Sequence, residues 1–293
     1  MTALFLTAAA PPAIAAGIRH APPQVDCGAL TPALAARAAI GSLNGRAAQA
    51  RTQAQLGKRG ELTGRYLTVG GAGAPISVTL PVESSVGAAV GDLVVYTSHT
   101  PASGSEVRAV NLATGCDTRL ATPSEIVRSA LLDGTATALY FHSVSRTDRA
   151  DSGITRYDLA SGTSVQVLPG LGPKDDIGPI FGTTLRWNLA GTRLAIQSCG
   201  FSSCLTRAVD PATGAIATFD IAGQGAFVGM TRAHLVTFAS CPGLPCAVLS
   251  TDVAYGDVAV LAEDAYVVSL AATADGNGHL SIQTASGNVE IDQ

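Results

Sequence analysis

Lysine is nearly missing from this chain of 293 residues: only Lys58 and Lys174 occur, beside sixteen scattered arginines. With a net charge of −4 and no basic cluster, the sequence offers nothing to displace counterions from nucleic acid. Charged residues make up 14% and aromatic residues 5% of the chain. After the N-terminus the apolar residues come in short runs broken by Gly, Pro and Thr. None reaches the roughly 18 residues of a membrane span. The motifs HExxH, GxSxG, Walker A and CxxC are all missing, as is a dinucleotide loop, since Gly223, Gly225 and Gly229 are wrongly spaced. His20, His99, His142, His234 and His279 form no ligand-spaced pair. Neither a metal nor a cofactor is expected, and the balance leans away from an enzyme.

The N-terminal stretch of residues 1–16 is apolar and ends in small residues, with Ala13-Ile14-Ala15 as an A-x-A site. It reads as a signal peptide that lacks a positive n-region. Export to an oxidising compartment agrees with six cysteines, an even number. Cys199/Cys204 and Cys241/Cys246 share the pattern S-C-x4-C, each expected to close a hairpin loop. Cys27 and Cys116 are then left to pair. A zinc site on the four closely spaced cysteines is the competing reading, and export disfavours it.

Self-similarity is the strongest signal. One unit ends in a polar turn: Asn111 to Gly115, Asp158 to Gly162 and Asp210 to Gly214, with weaker copies at Asp252 and near Gly287. Asp or Asn opens such a turn through its side chain, and Gly closes it with positive φ. A second unit is a strand led by Leu93, Leu139, Leu194, Leu235 and Leu280, at separations of 46, 55, 41 and 45 residues. That period suits a four-stranded propeller blade. Trp187-Asn188-Leu189-Ala190-Gly191-Thr192-Arg193-Leu194-Ala195 resembles the W-S-P-D-G-x-x-L-A repeat of TolB-like, WD40-like propellers (the PD40-type repeat). Asp133-Gly134 and Asp275-Gly276 stand as the turn pair of two other copies. The resemblance extends over about residues 65–293 and implies a fold rather than an activity.

The expected architecture is therefore all-β: a propeller of five four-stranded blades, or six if Arg65–Val69 nucleates another. Strand Ile76–Pro81 is expected to close the ring against the last blade. The segment 17–64 forms a leader, in which Thr31 caps a short helix running toward Leu56. Tight turns occupy one face of such a propeller and longer loops the other, and long loops on a rigid scaffold commonly carry binding. The loop-face candidates are Arg146, Asp148, Arg149, Asp151, Lys174, Asp175 and Asp176. The chain is expected to be a monomeric, secreted binding or scaffold module for a protein or glycan of the cell envelope. The alternative is a carbohydrate-active hydrolase using loop-face carboxylates.

Overall fold

The computed structural model describes residues 19–20, 25–26, 50–56, 58, 62–71, 73–80, 84–90, 93–100, 104–111, 114–135, 137–171, 177–200, 203–219, 225–239, 246–255, 257–272 and 277–292. Among them there are 23 strands and no helix.

The first strands are β1 (Arg19–His20), β2 (Val25–Asp26), β3 (Ala50–Leu56), β4 (Leu62–Gly71) and β5 (Gly73–Leu80). β3, β4 and β5 form an antiparallel meander, and β1 adds in parallel to β5. Two expectations are corrected here. The end of the expected helix is strand β3, because Ala50, Thr52, Ala54 and Leu56 alternate with Arg51, Gln53 and Gln55 at a period of two. The rest of that helix, 31–49, lies outside the described residues. The expected closing strand Ile76–Pro81 is instead largely β5. It pairs with β4 in its own sheet, with Ile76 opposite Val69, so its edge is not given to the last blade.

Four further sheets follow along the chain. The second holds β6 (Ser84–Val90), β7 (Leu93–Thr100), β8 (Gly104–Asn111) and β9 (Cys116–Ala121), with β2 parallel to β9 on its outer edge. The third holds β10 (Ile126–Leu132), β11 (Ala138–Val144), β12 (Asp151–Asp158) and β13 (Ser164–Leu168). The fourth holds β14 (Gly182–Trp187), β15 (Leu194–Cys199), β16 (Cys204–Val209) and β17 (Ile216–Phe219). The fifth is six-stranded: β18 (Gly225–Met230), β19 (His234–Ala239), β20 (Cys246–Asp252), β21 (Val258–Ala272), β22 (Gly278–Thr284) and β23 (Gly287–Asp292). β21 is 15 residues long; its first half pairs with β20 and its second with β22. Leu270 of that second half reaches Gly229 on β18, so the two halves of the sheet fold onto each other. Val236 and Val248 then share a core with Leu280 and Ile282.

Neighbouring sheets pack face to face, which explains why central strands are apolar on both faces. On β11, Leu139 and Phe141 join Leu93, Val95 and Val107 of the second sheet. The intervening Ala138 and Tyr140 join Leu185, Trp187 and Ile196 of the fourth. Ala195 and Ala208 in turn meet Phe227, Met230 and Leu235 of the fifth. Trp187 knits the third and fourth sheets. Its Nε1–H donates to the Leu132 carbonyl at 2.9 Å, and its ring lies edge-on to Tyr140 at 5.1 Å.

The turns follow the expected chemistry. The Asp158 carboxylate accepts from the Ala160 and Ser161 amides, Asp210 from Ala212 and Thr213, and Asp252 from Ala254 and Tyr255. Gly115, Gly162 and Gly214 close their turns at φ near +70°. Asn188 plays the same part in the Trp187 repeat, accepting from the Thr192 and Arg193 amides, and Asp133 does so for Thr137 and Ala138. Asp275-Gly276 lies outside the described residues.

Cys199 and Cys204 stand opposite each other in the β15–β16 register and form a disulfide, with Cα atoms 4.0 Å apart. Cys116 is also disulfide-bonded; its expected partner, Cys27, lies outside the described residues. Cys246, expected to bridge to Cys241, opens β20. The β19–β20 register pairs Phe238 with Val248. Cys241 itself lies outside the described residues.

Candidate functional site

The loops joining β11 to β12 and β15 to β16 emerge on one face of the sheets, beside the connections that lead into β10 and β14. Between the third and fourth sheets this face carries a concentration of charge. Its buried centre is Asp151, at the first position of β12. The Asp151 carboxylate accepts from Arg207 at 2.8 Å, from His142 Nε2 at 3.3 Å, from the Ser198 hydroxyl at 3.4 Å and from the Gly153 amide at 2.6 Å. Arg207 also donates to the Pro169 carbonyl at 2.6 Å. Burial pushes the Asp151 carboxyl up, but the hydrogen bond and charge of His142, the Arg207 guanidinium and the Gly153 amide outweigh it and hold it below the usual carboxylate range. The side chain is 1% exposed, so Asp151 is a tie between sheets and not a rim contact, which corrects its expected role. The rule that Asp is buried only when paired is obeyed here by partners from β11, β15 and β16.

A second carboxylate, Glu125, enters β10 and accepts from the hydroxyls of Ser143 and Ser152, the latter at 2.9 Å. Ser152 is the extra residue of a β-bulge, since Ser143 pairs with Gly153 and Val144 with Asp151. Gly153 sits at φ +83°, and a Cβ there would strike the Leu168 carbonyl.

Outside this buried layer stand the arginines. Arg128 is the extra residue of a bulge in β10, where Val127 pairs with Ser143 and Ser129 with His142. Its guanidinium donates to the Ile180 carbonyl at 3.4 Å, and its Nε is buried without a partner. Arg149 closes the 145–150 loop at φ +59°, its amide donating to the Ser145 carbonyl and its carbonyl accepting from the Ile180 amide at 3.1 Å. Its guanidinium stacks over Phe181 at 5.8 Å. Burial and the nearby Arg149 charge lower the Arg128 guanidinium from its ordinary value. Phe181 is 45% exposed, and Ile177 and Ile180 anchor its segment in an apolar cluster with Val144 and Leu205.

Of the residues singled out in the sequence, Arg146, Asp148 and Arg149 lie together on the exposed 145–150 loop. Asp148 accepts from the Ala150 amide at 3.1 Å, and its hydrogen bonds to Ser145 and Ala150 hold its carboxyl below the usual range. Lys174, Asp175 and Asp176 lie outside the described residues. Sequence reasoning missed Arg128, Glu125, Phe181 and Arg207. Arg128 and Arg207 interrupt otherwise apolar or small-residue strands, which is the signal that marked them. Among the described residues the loop-face carboxylates Glu125, Asp148 and Asp151 are each committed to local donors.

No protein-family model matches the chain, and no curated protein matches its sequence. Solved structures match by fold. TolB from Acinetobacter baumannii aligns with 86% of the chain at 14% identity and a TM-score of 0.51. The chain spans 62% of that protein's length. The β-propeller domain of the Trilobed protease from Pyrococcus furiosus aligns with 83% of the chain and 77% of its own at 9% identity and TM-score 0.49. A putative TolB from Agrobacterium tumefaciens aligns with 73% of the chain and 81% of its own at 13% identity and TM-score 0.47. The fold is that of a TolB-like β-propeller. At these identities the likeness is one of fold, and activity has to be argued from the site.

Proposed function

We propose that the chain is a non-enzymatic binding module of the cell envelope that takes a protein partner on its loop face. The observation that supports this reading is the division of labour between the third and fourth sheets. A buried ion pair and three bulges of the third sheet stiffen the base. The exposed layer above presents Arg146, Asp148, Arg149 and an exposed Phe181. Arg and Phe on a rigid support are the residue types enriched at protein interfaces. Lys174, Asp175 and Asp176, expected from the sequence to share in the contact, lie outside the described residues. Export follows from removal of residues 1–16, and the disulfides at Cys199–Cys204 and Cys116 are compatible with an oxidising compartment.

The test is affinity capture from a cell-envelope extract with the oxidised chain from residue 17, in parallel with an Asp148→Ala/Asp175→Ala/Asp176→Ala variant. A specific protein captured by the wild type and lost with the variant supports the reading. Equal capture by both removes the loop face from it. Turnover of a glycan panel would replace it with the hydrolase.

A further inference from the structure

Two arginines of the loop face, Arg128 and Arg149, are placed beside each other by independent backbone devices. The bulge in β10 re-aims Arg128, and a left-handed backbone at φ +59° sets Arg149. A left-handed conformation is uncommon for a residue with a long side chain, and such strain concentrates where ligands bind. Both residues are fastened to the same short segment, Arg128 to the Ile180 carbonyl and Arg149 to the Ile180 amide. Neither has a carboxylate within 4 Å among the described residues. The nearby carboxylates are spoken for: Glu125 by two serines, Asp151 by Arg207 and His142, and Asp148 by its own loop. Burial, and with it the Arg149 charge, lowers the Arg128 guanidinium, and no counter-ion among the described residues offsets them.

Arg186 offers an internal comparison. It too donates to a backbone carbonyl, that of Val228 at 3.0 Å, and it stacks on Phe227 at 6.0 Å. No second arginine is among the causes that lower its guanidinium. The pairing at Arg128 and Arg149 is thus a separate feature, added to a backbone-and-aromatic arrangement that the fold uses elsewhere.

We propose that Arg128 and Arg149 form an oxyanion site at the edge between the third and fourth sheets, in which Phe181 packs the apolar group adjoining the anion. Guanidinium forks suit a carboxylate or a phosphate, whose two oxygens accept parallel N–H bonds. The anion supplies a counter-charge that the described residues do not, and arginines whose backbone is already set lose little freedom on binding it. This inference rests on the loop-face reading above and gives that face a chemical class of ligand.

Titration calorimetry at low salt tests it, with N-acetyl-phenylalanine, phenyl phosphate and inorganic phosphate as probes. At least one probe is expected to bind saturably, with Arg128→Gln and Arg149→Gln each weakening it ten-fold or more. Arg186→Gln leaves the affinity unchanged. Phe181→Ala weakens the two aromatic probes and spares inorganic phosphate. Tighter binding of N-acetyl-phenylalanine assigns a carboxylate-bearing peptide as the source, and tighter binding of phenyl phosphate assigns a phosphate. Native Trp187 fluorescence checks that each variant is folded. Should Arg128→Gln fail to fold, Arg149→Gln and the charge-keeping Arg149→Lys carry the test, with Lys retaining part of the affinity. No saturable binding by any probe, or equal binding by the Arg149→Gln variant, overturns the site. Anion binding without loop-face capture of a partner refutes the module reading instead, while capture without anion binding refutes this inference alone.

Discussion

Asp151 and Arg207 meet at 2.8 Å across the third and fourth sheets, with side chains 1% and 6% exposed. Removing the arginine leaves a buried carboxylate without its guanidinium partner. Arg207→Ala is therefore expected to cost about 3–5 kcal/mol of stability, the usual range for breaking a buried pair from one side. Replacing both residues with apolar ones of similar volume is expected to cost less than the single change. Urea unfolding of the three proteins checks the order.

The same pair sets an acid limit. The Asp151 carboxyl is held below its unfolded value of 3.8, so its contribution is present above that pH and lost as the pH falls through the lower folded value. Stability is expected to fall below about pH 4, and Asp151→Asn is expected to flatten that fall. At the other end of the chain, the His279 ring nitrogens face the Asp292 carboxylate at 2.8 Å and the Glu290 carboxylate at 3.0 Å, and the protonated imidazole donates to both. Those carboxylates raise the imidazole above 6.5. Its contribution is full below 6.5 and disappears as the pH rises through the raised value. His279→Gln is expected to remove the pH dependence of the β22–β23 hairpin in that upper window, read by amide hydrogen exchange.

Trp187, the chain's one tryptophan, lies 6% exposed between the third and fourth sheets. Its emission is expected to be blue-shifted and resistant to quenching by iodide, and to red-shift when those sheets separate. Trp187→Phe leaves the Leu132 carbonyl without its donor, at an expected cost of about 1–3 kcal/mol on top of lost packing.

Gly153 sustains the bulge beneath the site. Gly153→Ala is expected to destabilise the chain strongly, because its φ of +83° is strained for alanine and the added Cβ meets the Leu168 carbonyl. Gly214→Ala, at φ +73° with open space around it, is expected to cost only the conformational part. Thermal melts of the two variants separate strain from collision.

Much of the fold was legible because its signals are local. The Leu-led strands at Leu93, Leu139, Leu194, Leu235 and Leu280 and the Asp- or Asn-opened turns need only a few consecutive residues to specify them. The edge strand β6 was not read, since S-S-V-G-A-A-V has neither a leading Leu nor a turn signal of the repeat type. Placement of β5 depended on which distant edge it joins, and β1 and β2 add to edges in parallel over two residues each. Such short pairings carry no sequence period. The site was read in part. Arg149 and Asp148 lie on a long loop, which drew attention to them. Arg128 owes its place to a bulge, and the burial of Asp151 depends on an arginine 56 residues away. Neither can be inferred from spacing along one strand.

The most direct measurement of the central claim is site-specific photocrosslinking in cell-envelope extract, with the photoreactive residue placed at position 149 on the loop face or at position 160 on the turn face. A discrete crosslinked partner is expected from position 149 and none from position 160. The same partner crosslinked from position 160 alone, or equally from both, would contradict it.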